Sequence, residues 1–171
     1  MFIFYFKMKK EIELRKLNFG CGKERKEGFY NIDIIKSKGI HKSFDFNKFP
    51  YPLKDNQFDF VLCKQVLEHC LFPERVLREF KRICRENAII RIQVPYTNSR
   101  SAYSSLDHCH FFNRWSFLNL EKLGFETLKN KMTYQRFLRW LPKPFLDFLS
   151  IFLNNIYVMI DADLKVKKEH Q

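Results

Sequence analysis

Lys16-Leu17-Asn18-Phe19 runs into Gly20-Cys21-Gly22, and Asn31-Ile32-Asp33 follows a few residues on. This stretch decides the fold. A short apolar run ending in closely spaced glycines reads as a buried strand followed by a loop that a ligand can approach without meeting a Cβ. Asp33 lies near the end of a second strand-like run, Gly28 to Ile34, and Asp45 and Phe46 close a third, Lys42 to Phe46. Phe58 to Cys63 and Ala88 to Val94 are apolar enough for strands buried on both faces, the pattern of a parallel sheet. Between them Pro73 opens the clearest helix, with Val76, Leu77, Phe80, Ile83 and Cys84 on one face. A second helix is expected over Trp115 to Leu123, stopped by Gly124, with a strand from Phe125 to Leu128 after it. Residues 134–153 read as a helical segment bent at Pro142 and Pro144, and Ile156 to Ile160 as the last strand. Strands alternating with helices predict a doubly wound, mostly parallel α/β sheet with helices on both faces.

The chain has 171 residues, of which 46% are hydrophobic and 29% charged. That length and composition predict one domain over 1–171 with a sizeable core, and they exclude disorder and collagen-like repeats. Within it, 1–15 read as an N-terminal extension, 16–132 as a cofactor-binding core and 133–171 as a C-terminal helical segment with the last strand. The formal net charge is +12. Nucleic acid, an anionic membrane face or an acidic substrate would be drawn to such a surface. The basic residues are spread along the chain, however, and compositional bias explains them as simply; only Lys165-Val166-Lys167-Lys168 forms a short patch.

Five cysteines, odd in number and without a CxxC pair, point to free thiols in a reducing, cytoplasmic compartment. Residues 1–8 put their charge after the apolar run and show no cleavage site, so no secretory signal is expected, and Met8 is an alternative start. No stretch reaches the ~18 apolar residues of a membrane span.

An acid ending the second strand, Asp33, can accept hydrogen bonds from two ribose hydroxyls, and Asp45 at the end of the third can meet an adenine amino group. The third glycine of a dinucleotide fingerprint is missing, since Lys23, Glu24 and Arg25 follow Gly22, and no P-loop occurs. A nucleoside without phosphates therefore fits better than NAD or ATP.

These motifs resemble the class I S-adenosylmethionine-dependent methyltransferases, in particular the small type 11-like domains. Asn18-Phe19-Gly20-Cys21-Gly22 is similar to their first motif, and Asn31-Ile32-Asp33 to the acid after the second strand. Asp45-Phe46 with Phe49-Pro50-Tyr51-Pro52-Leu53-Lys54-Asp55-Asn56-Gln57-Phe58-Asp59 resembles the stretch leading into the fourth strand. Val61 to His69 resembles the segment after it, closed by Leu67-Glu68-His69. The resemblance runs from about Lys16 to Phe125 and implies a seven-stranded Rossmann-like methyltransferase sheet and S-adenosyl-L-methionine as cofactor. It implies further that Gly20, Cys21 and Gly22 face the methionine part, Asp33 holds the ribose, Asp45 and Phe46 border the adenine, and Gln65 sits near the sulfonium. Taken alone, Asp33 reads as a strand-end cap and Asp45 as a turn acid. Two departures stand out. Only six residues, Lys23 to Gly28, separate the glycine loop from the second strand, so the first crossover helix is shortened to a turn or comes from residues 8–15. Arg85-Glu86-Asn87 also replaces the family's Pro-Gly turn.

Methyl transfer from a sulfonium needs positioning, and a base only where the acceptor must lose a proton. Asp107, His108 and His110 resemble the family's segment on the acceptor side and are the candidate catalytic residues, with Asp107 able to fix an imidazole tautomer. His69 is a further candidate, more simply read as tying the strand end to the next helix. No metal is expected, because the adjacent His108, Cys109 and His110, with His69 and Cys70, cannot easily share one tetrahedral site. Lys64-Gln65-Val66-Leu67 stands where methyltransferases of base amino groups carry an Asn/Asp-Pro-Pro-Tyr/Phe motif, which argues against base amino-methylation.

The expected activity is methyl transfer to an O or N of a small-molecule or glycan- or lipid-linked acceptor. The alternatives are methylation of RNA such as tRNA, and a non-catalytic module that only binds the cofactor. The apolar residues of 134–153, interleaved with Arg136, Arg139 and Lys143, suit a lid, a dimer face or a membrane-surface helix. Ordinary packing against the sheet is the simpler expectation.

Overall fold

The computed structural model describes residues 15–168. Seven strands form one sheet in the order β3-β2-β1-β4-β5-β7-β6. They are β1 Lys16–Phe19, β2 Tyr30–Asp33, β3 Lys42–Ser43, β4 Phe58–Lys64, β5 Cys84–Pro95, β6 Phe125–Tyr134 and β7 Tyr157–Val166. β1 to β5 run parallel, and β7 enters antiparallel between β5 and β6. The chain moves outward from β1 to β3 and returns to β4 on the other side of β1. The carboxyl ends of β1 and β4 therefore flank the point where strand order reverses, the place where open α/β sheets bind ligands.

The apolar runs became the central strands for the expected reason. Leu17, Phe19, Val61, Cys63, Ile90 and Ile92 are fully buried. Helix α1, Pro73–Ile83, begins at its proline and buries Val76, Leu77, Phe80 and Ile83. Phe19 stacks on Phe46 at 4.0 Å and meets Phe80 edge-on at 4.9 Å, so an aromatic wedge joins β1, the turn after β3 and α1. Arg82 and the buried Glu79 fasten the loop before β4 to this helix. Arg82 donates to Leu53 O and Tyr51 O at 2.9 Å each, and Glu79 Oε2 accepts from Tyr51 N at 2.6 Å.

Among the described residues no helix joins β1 to β2; residues 8–14, the other source considered for it, lie outside them. Two buried asparagines do the work of the missing helix. Asn18 Nδ2 donates to Glu24 O and to Asn31 Oδ1, and Asn31 in turn accepts from Lys26 N and donates to Lys26 O, all at 2.9 Å. A loop too short for a helix still has backbone groups to satisfy, and these side chains satisfy them.

Two expectations are corrected. Trp115 to Leu123 is not a helix: only Glu121–Leu123 forms a 3-10 turn, although Gly124 does end it in the left-handed region. Asn113 Oδ1 accepts from Trp115 N at 2.8 Å and Asn119 takes φ of 59°, so local side-chain bonding and a left-handed residue defeat the helical pattern. Pro142 and Pro144 do not bend a helix over 134–153 but start one, α2, Lys143–Phe152. Its Leu146 is buried with Ile156 and Tyr157, whereas Phe148, Ile151 and Phe152 are exposed, as are Phe137 and Trp140 before it. This segment is thus pinned by one face and leaves much apolar surface uncovered. No helix among the described residues is long and apolar enough to cross a membrane.

Cys21, Cys63, Cys70 and Cys84 are buried and Cys109 is exposed. Burial pushes the Cys70 and Cys84 thiols up to about 12. In the native protein one of the five thiols is therefore expected to react promptly with Ellman's reagent, and Cys109→Ser should abolish that phase. A second fast thiol in the folded wild type would contradict this burial.

Candidate active site

The loop after β1 is shaped by its glycines. Gly20 has φ of +66°, and a Cβ there would lie 2.4 Å from Val66 Cγ2, so the loop and the turn after β4 approach as closely as backbone allows. Gly22 has φ of +48° and open space beside it. Cys21 between them is buried and donates its N–H to Ile32 O at 2.9 Å. Asp33 ties the loop to the end of β2, since its Oδ2 accepts from Gly22 N at 2.6 Å and its Oδ1 from Ile35 N at 3.2 Å.

Opposite, β4 is followed by Gln65, a non-glycine residue at φ of +52° whose N–H donates to Gln93 O at 2.8 Å. Such a conformation costs of order 1–3 kcal/mol and is kept where the surroundings enforce it, commonly at binding sites. It turns the chain at once into the 3-10 helix Leu67–His69.

Two cavities meet across Gly20 and Gln65. The larger, of about 350 Å³, is lined by Gly20, Asp33, Ile34, Phe46, Asn47, Gln65, Val66, His69, Cys70 and Asp107. The second, of about 310 Å³, is lined by Asn18, Gly20, Cys21, Gly22, Lys23, Glu24, Lys64 and Gln65. Of the residues the sequence singled out, Gly20, Asp33, Phe46, Gln65 and Asp107 come together in the first cavity and Cys21 and Gly22 in the second. Asp45, His108 and His110 line neither. Asp45 Oδ1 accepts from Asn47 N at 2.9 Å, the bond of a turn acid.

The segment Asp107–His110 is held against the turn after β4 by the Glu68 carbonyl, which accepts from Cys109 N at 2.8 Å and His110 N at 3.2 Å. Asp107 Oδ2 lies 3.0 Å from His69 Nδ1 but off the hydrogen-bonding direction, so the ring has a charged neighbour more than a bonded one. Hydrogen bonding from Ser105 Oγ, with the charge of His69, holds the Asp107 carboxyl below its ordinary value. His108 Nδ1 is 2.8 Å from Ala102 O and His110 Nε2 is 3.1 Å from Leu71 O. A carbonyl only accepts, so each of those nitrogens carries the proton. Sequence reasoning left His69 as a structural residue, yet it lines the larger cavity. It also missed Val66 and the Asn18–Asn31 pair, whose parts depend on contacts between distant strands.

A family model for a methyltransferase domain matches residues 30–92, from β2 into β5. A crystal structure of an S-adenosylmethionine-dependent methyltransferase from Mesorhizobium loti superposes with a TM-score of 0.65, at 12% identity, over 89% of this chain and 90% of that one. Residues 30–92 thus match a methyltransferase domain, and the whole chain has the fold of such S-adenosylmethionine-dependent enzymes. An S-adenosylmethionine-dependent methyltransferase of Archaeoglobus fulgidus gives a TM-score of 0.66 at 15% identity, over 94% of this chain and 90% of that one. The cyclase SpnF gives 0.62 at 15% identity, over 90% and 74%. At such identities the likeness speaks for the fold, which serves more than one chemistry. No curated protein is significantly similar to the chain.

The residues present fit S-adenosylmethionine, the cofactor that the sequence resemblance implies. Gly20 leaves no room for a side chain, Gly22 offers open backbone, and the Asp33 carboxylate has about four acceptor sites, of which the Gly22 and Ile35 amides use two. When bound, the cofactor supplies a methyl group made electrophilic by the sulfonium.

Proposed function

We propose that the chain is an S-adenosylmethionine-dependent methyltransferase that modifies an O or N of a small-molecule or glycan- or lipid-linked acceptor entering beside His69 and Asp107. The observation carrying this reading is that one cavity is lined both by Asp33, Phe46 and Gln65 and by His69 and Asp107. In it Asp33 would hold the ribose and Phe46 would cover the adenine, with Asp45 acting through the turn it caps. Gln65 would lie near the sulfonium, and Gly20, Cys21 and Gly22 would carry the methionine part into the adjoining cavity. His69 next to ionised Asp107 is placed to take a proton from an acceptor hydroxyl or amine as the new bond forms. His108 and His110, bonded through one ring nitrogen to carbonyls, would hold the segment that carries Asp107 in place. The exposed Phe137, Trp140, Phe148, Ile151 and Phe152 favour an acceptor presented on lipid. Buried, unpaired cysteines favour a cytoplasmic setting.

The net charge of +12 favours a second reading, methylation of RNA. One experiment separates the readings. The purified chain is incubated with methyl-labelled cofactor and, separately, with lipid, glycan, small-molecule and RNA fractions. Label is expected in one of the first three, with kcat lowered at least ~100-fold by His69→Ala and Asp107→Asn while cofactor affinity is kept. Label in RNA, with affinity falling steeply as salt rises, would establish the second reading. Cofactor binding with no transfer to any fraction would leave a non-catalytic binding module.

A further inference from the structure

Glu68 is 1% exposed, and neither of its carboxylate oxygens meets a hydrogen-bond donor from another residue. A buried carboxylate so placed costs several kcal/mol unless something positive satisfies it. What surrounds it is a pair of imidazoles. One donor atom each from Glu68, His69 and His108 lies within 4.8 Å of the others, and the two rings meet at 4.6 Å and 74°.

The tautomer of His108 strengthens the case. Its Nδ1–H is spent on the Ala102 carbonyl at 2.8 Å, which leaves the Nε2 lone pair free. Metal-bound histidines almost always give their other N–H to a carbonyl or carboxylate in this way. Asp107 Oδ2, 3.0 Å from His69 Nδ1 though off the hydrogen-bonding direction, puts a carboxylate beside the second ring as well. The objection that neighbouring residues cannot share a metal is met locally. Glu68 and His69 belong to a 3-10 helix, where successive side chains are only about 120° apart, not opposed as in a strand.

We propose that Glu68, His69 and His108 form a binding site for a divalent first-row metal ion such as zinc, in the wall of the cavity that His69 lines. Two imidazoles and one carboxylate are the donors of open zinc sites, which leave a coordination position for water or a substrate oxygen; magnesium and calcium prefer oxygen donors throughout. Ligand bonds of about 2.1 Å place tetrahedral donors roughly 3.4 Å apart, so the three donor atoms, within 4.8 Å of one another, must draw together by up to about 1.4 Å. The ion would neutralise Glu68 and, holding the His69 lone pair, would acidify an acceptor hydroxyl at its open position in place of the base role given to His69 above. That last role rests on the acceptor reading above, whereas the site itself does not.

The test uses the full chain stripped with EDTA and titrated calorimetrically with zinc alone, without cofactor or acceptor. One ion per chain is expected to bind. Affinity should fall at least ~100-fold in Glu68→Gln and in His108→Ala, and stay unchanged in Cys109→Ser. Cobalt substitution should show ligand-field bands without a thiolate charge-transfer band. Glu68→Gln preserves the shape of a merely neutral buried acid, so unchanged circular dichroism and cofactor affinity in that variant show that the fold is intact. No zinc binding by the wild type, or binding indifferent to Glu68→Gln and His108→Ala, would overturn the proposal. Zinc binding without methyl transfer would count against the acceptor reading alone.

Discussion

Asp33→Ala is expected to weaken S-adenosylmethionine binding by two orders of magnitude or more, read by calorimetric titration. Two losses combine. The carboxylate fastens the glycine loop through the Gly22 amide at 2.6 Å and the turn after β2 through the Ile35 amide at 3.2 Å. Its remaining acceptor sites would meet the ribose, and hydrogen bonds to a charged group contribute about 1.5–3 kcal/mol each, against 1.4 kcal/mol per tenfold of affinity. Asp33→Asn separates the two. Its amide oxygen can still accept from Gly22, so the loop should keep its shape while the charge is lost, giving an intermediate affinity. An Asp33→Ala chain binding within threefold of wild type would remove Asp33 from the cofactor site.

The second large effect is expected at Gly20. An alanine there brings a Cβ to 2.4 Å from Val66 Cγ2 and 2.8 Å from Cγ1, on a backbone at φ of +66°. The left-handed backbone costs about 1–2 kcal/mol and the overpacking about 1–3 kcal/mol. Gly20→Ala should therefore lower stability by about 3 kcal/mol and Tm by about 10 °C. Because Gly20 lines both cavities, cofactor affinity should fall as well. In a Val66→Ala background the same substitution should cost little beyond the backbone part, since only the Cβ of residue 66, at 3.2 Å, still faces it. An equal cost in both backgrounds, measured by denaturant unfolding, would show that the two residues do not meet as described.

Much of the candidate site's lining was legible because its motifs are local. A strand that ends in Gly20-Cys21-Gly22 announces a loop open to a ligand whatever the rest of the chain does. Asp33 is readable in the same way from the end of its strand, and α1 from an apolar face that begins at Pro73. The sequence failed where local and distant interactions compete. The pattern over Trp115 to Leu123 has helical spacing, but Asn113 and Asn119 divert the backbone by short-range bonds that a periodicity does not register. Pro142 and Pro144 read as a bend because their neighbours on both sides look helical. Only the extension of β6 to Tyr134 shows that the helix begins at the prolines.

By itself, then, the sequence determined the mostly parallel sheet and the glycine turn after its first strand, since each follows from side-chain period or from residues adjacent along the chain. The tertiary structure alone decided which groups meet. Asn18 and Asn31 replace a crossover helix because β1 and β2 lie side by side in the sheet. Gly20 must be glycine because Val66, from the turn after β4, is packed against it. Glu68, His69 and His108 converge because the Glu68 carbonyl captures the amides that follow His108. Contacts between residues tens of positions apart depend on how strands are ordered in space, and no one-dimensional period carries that order.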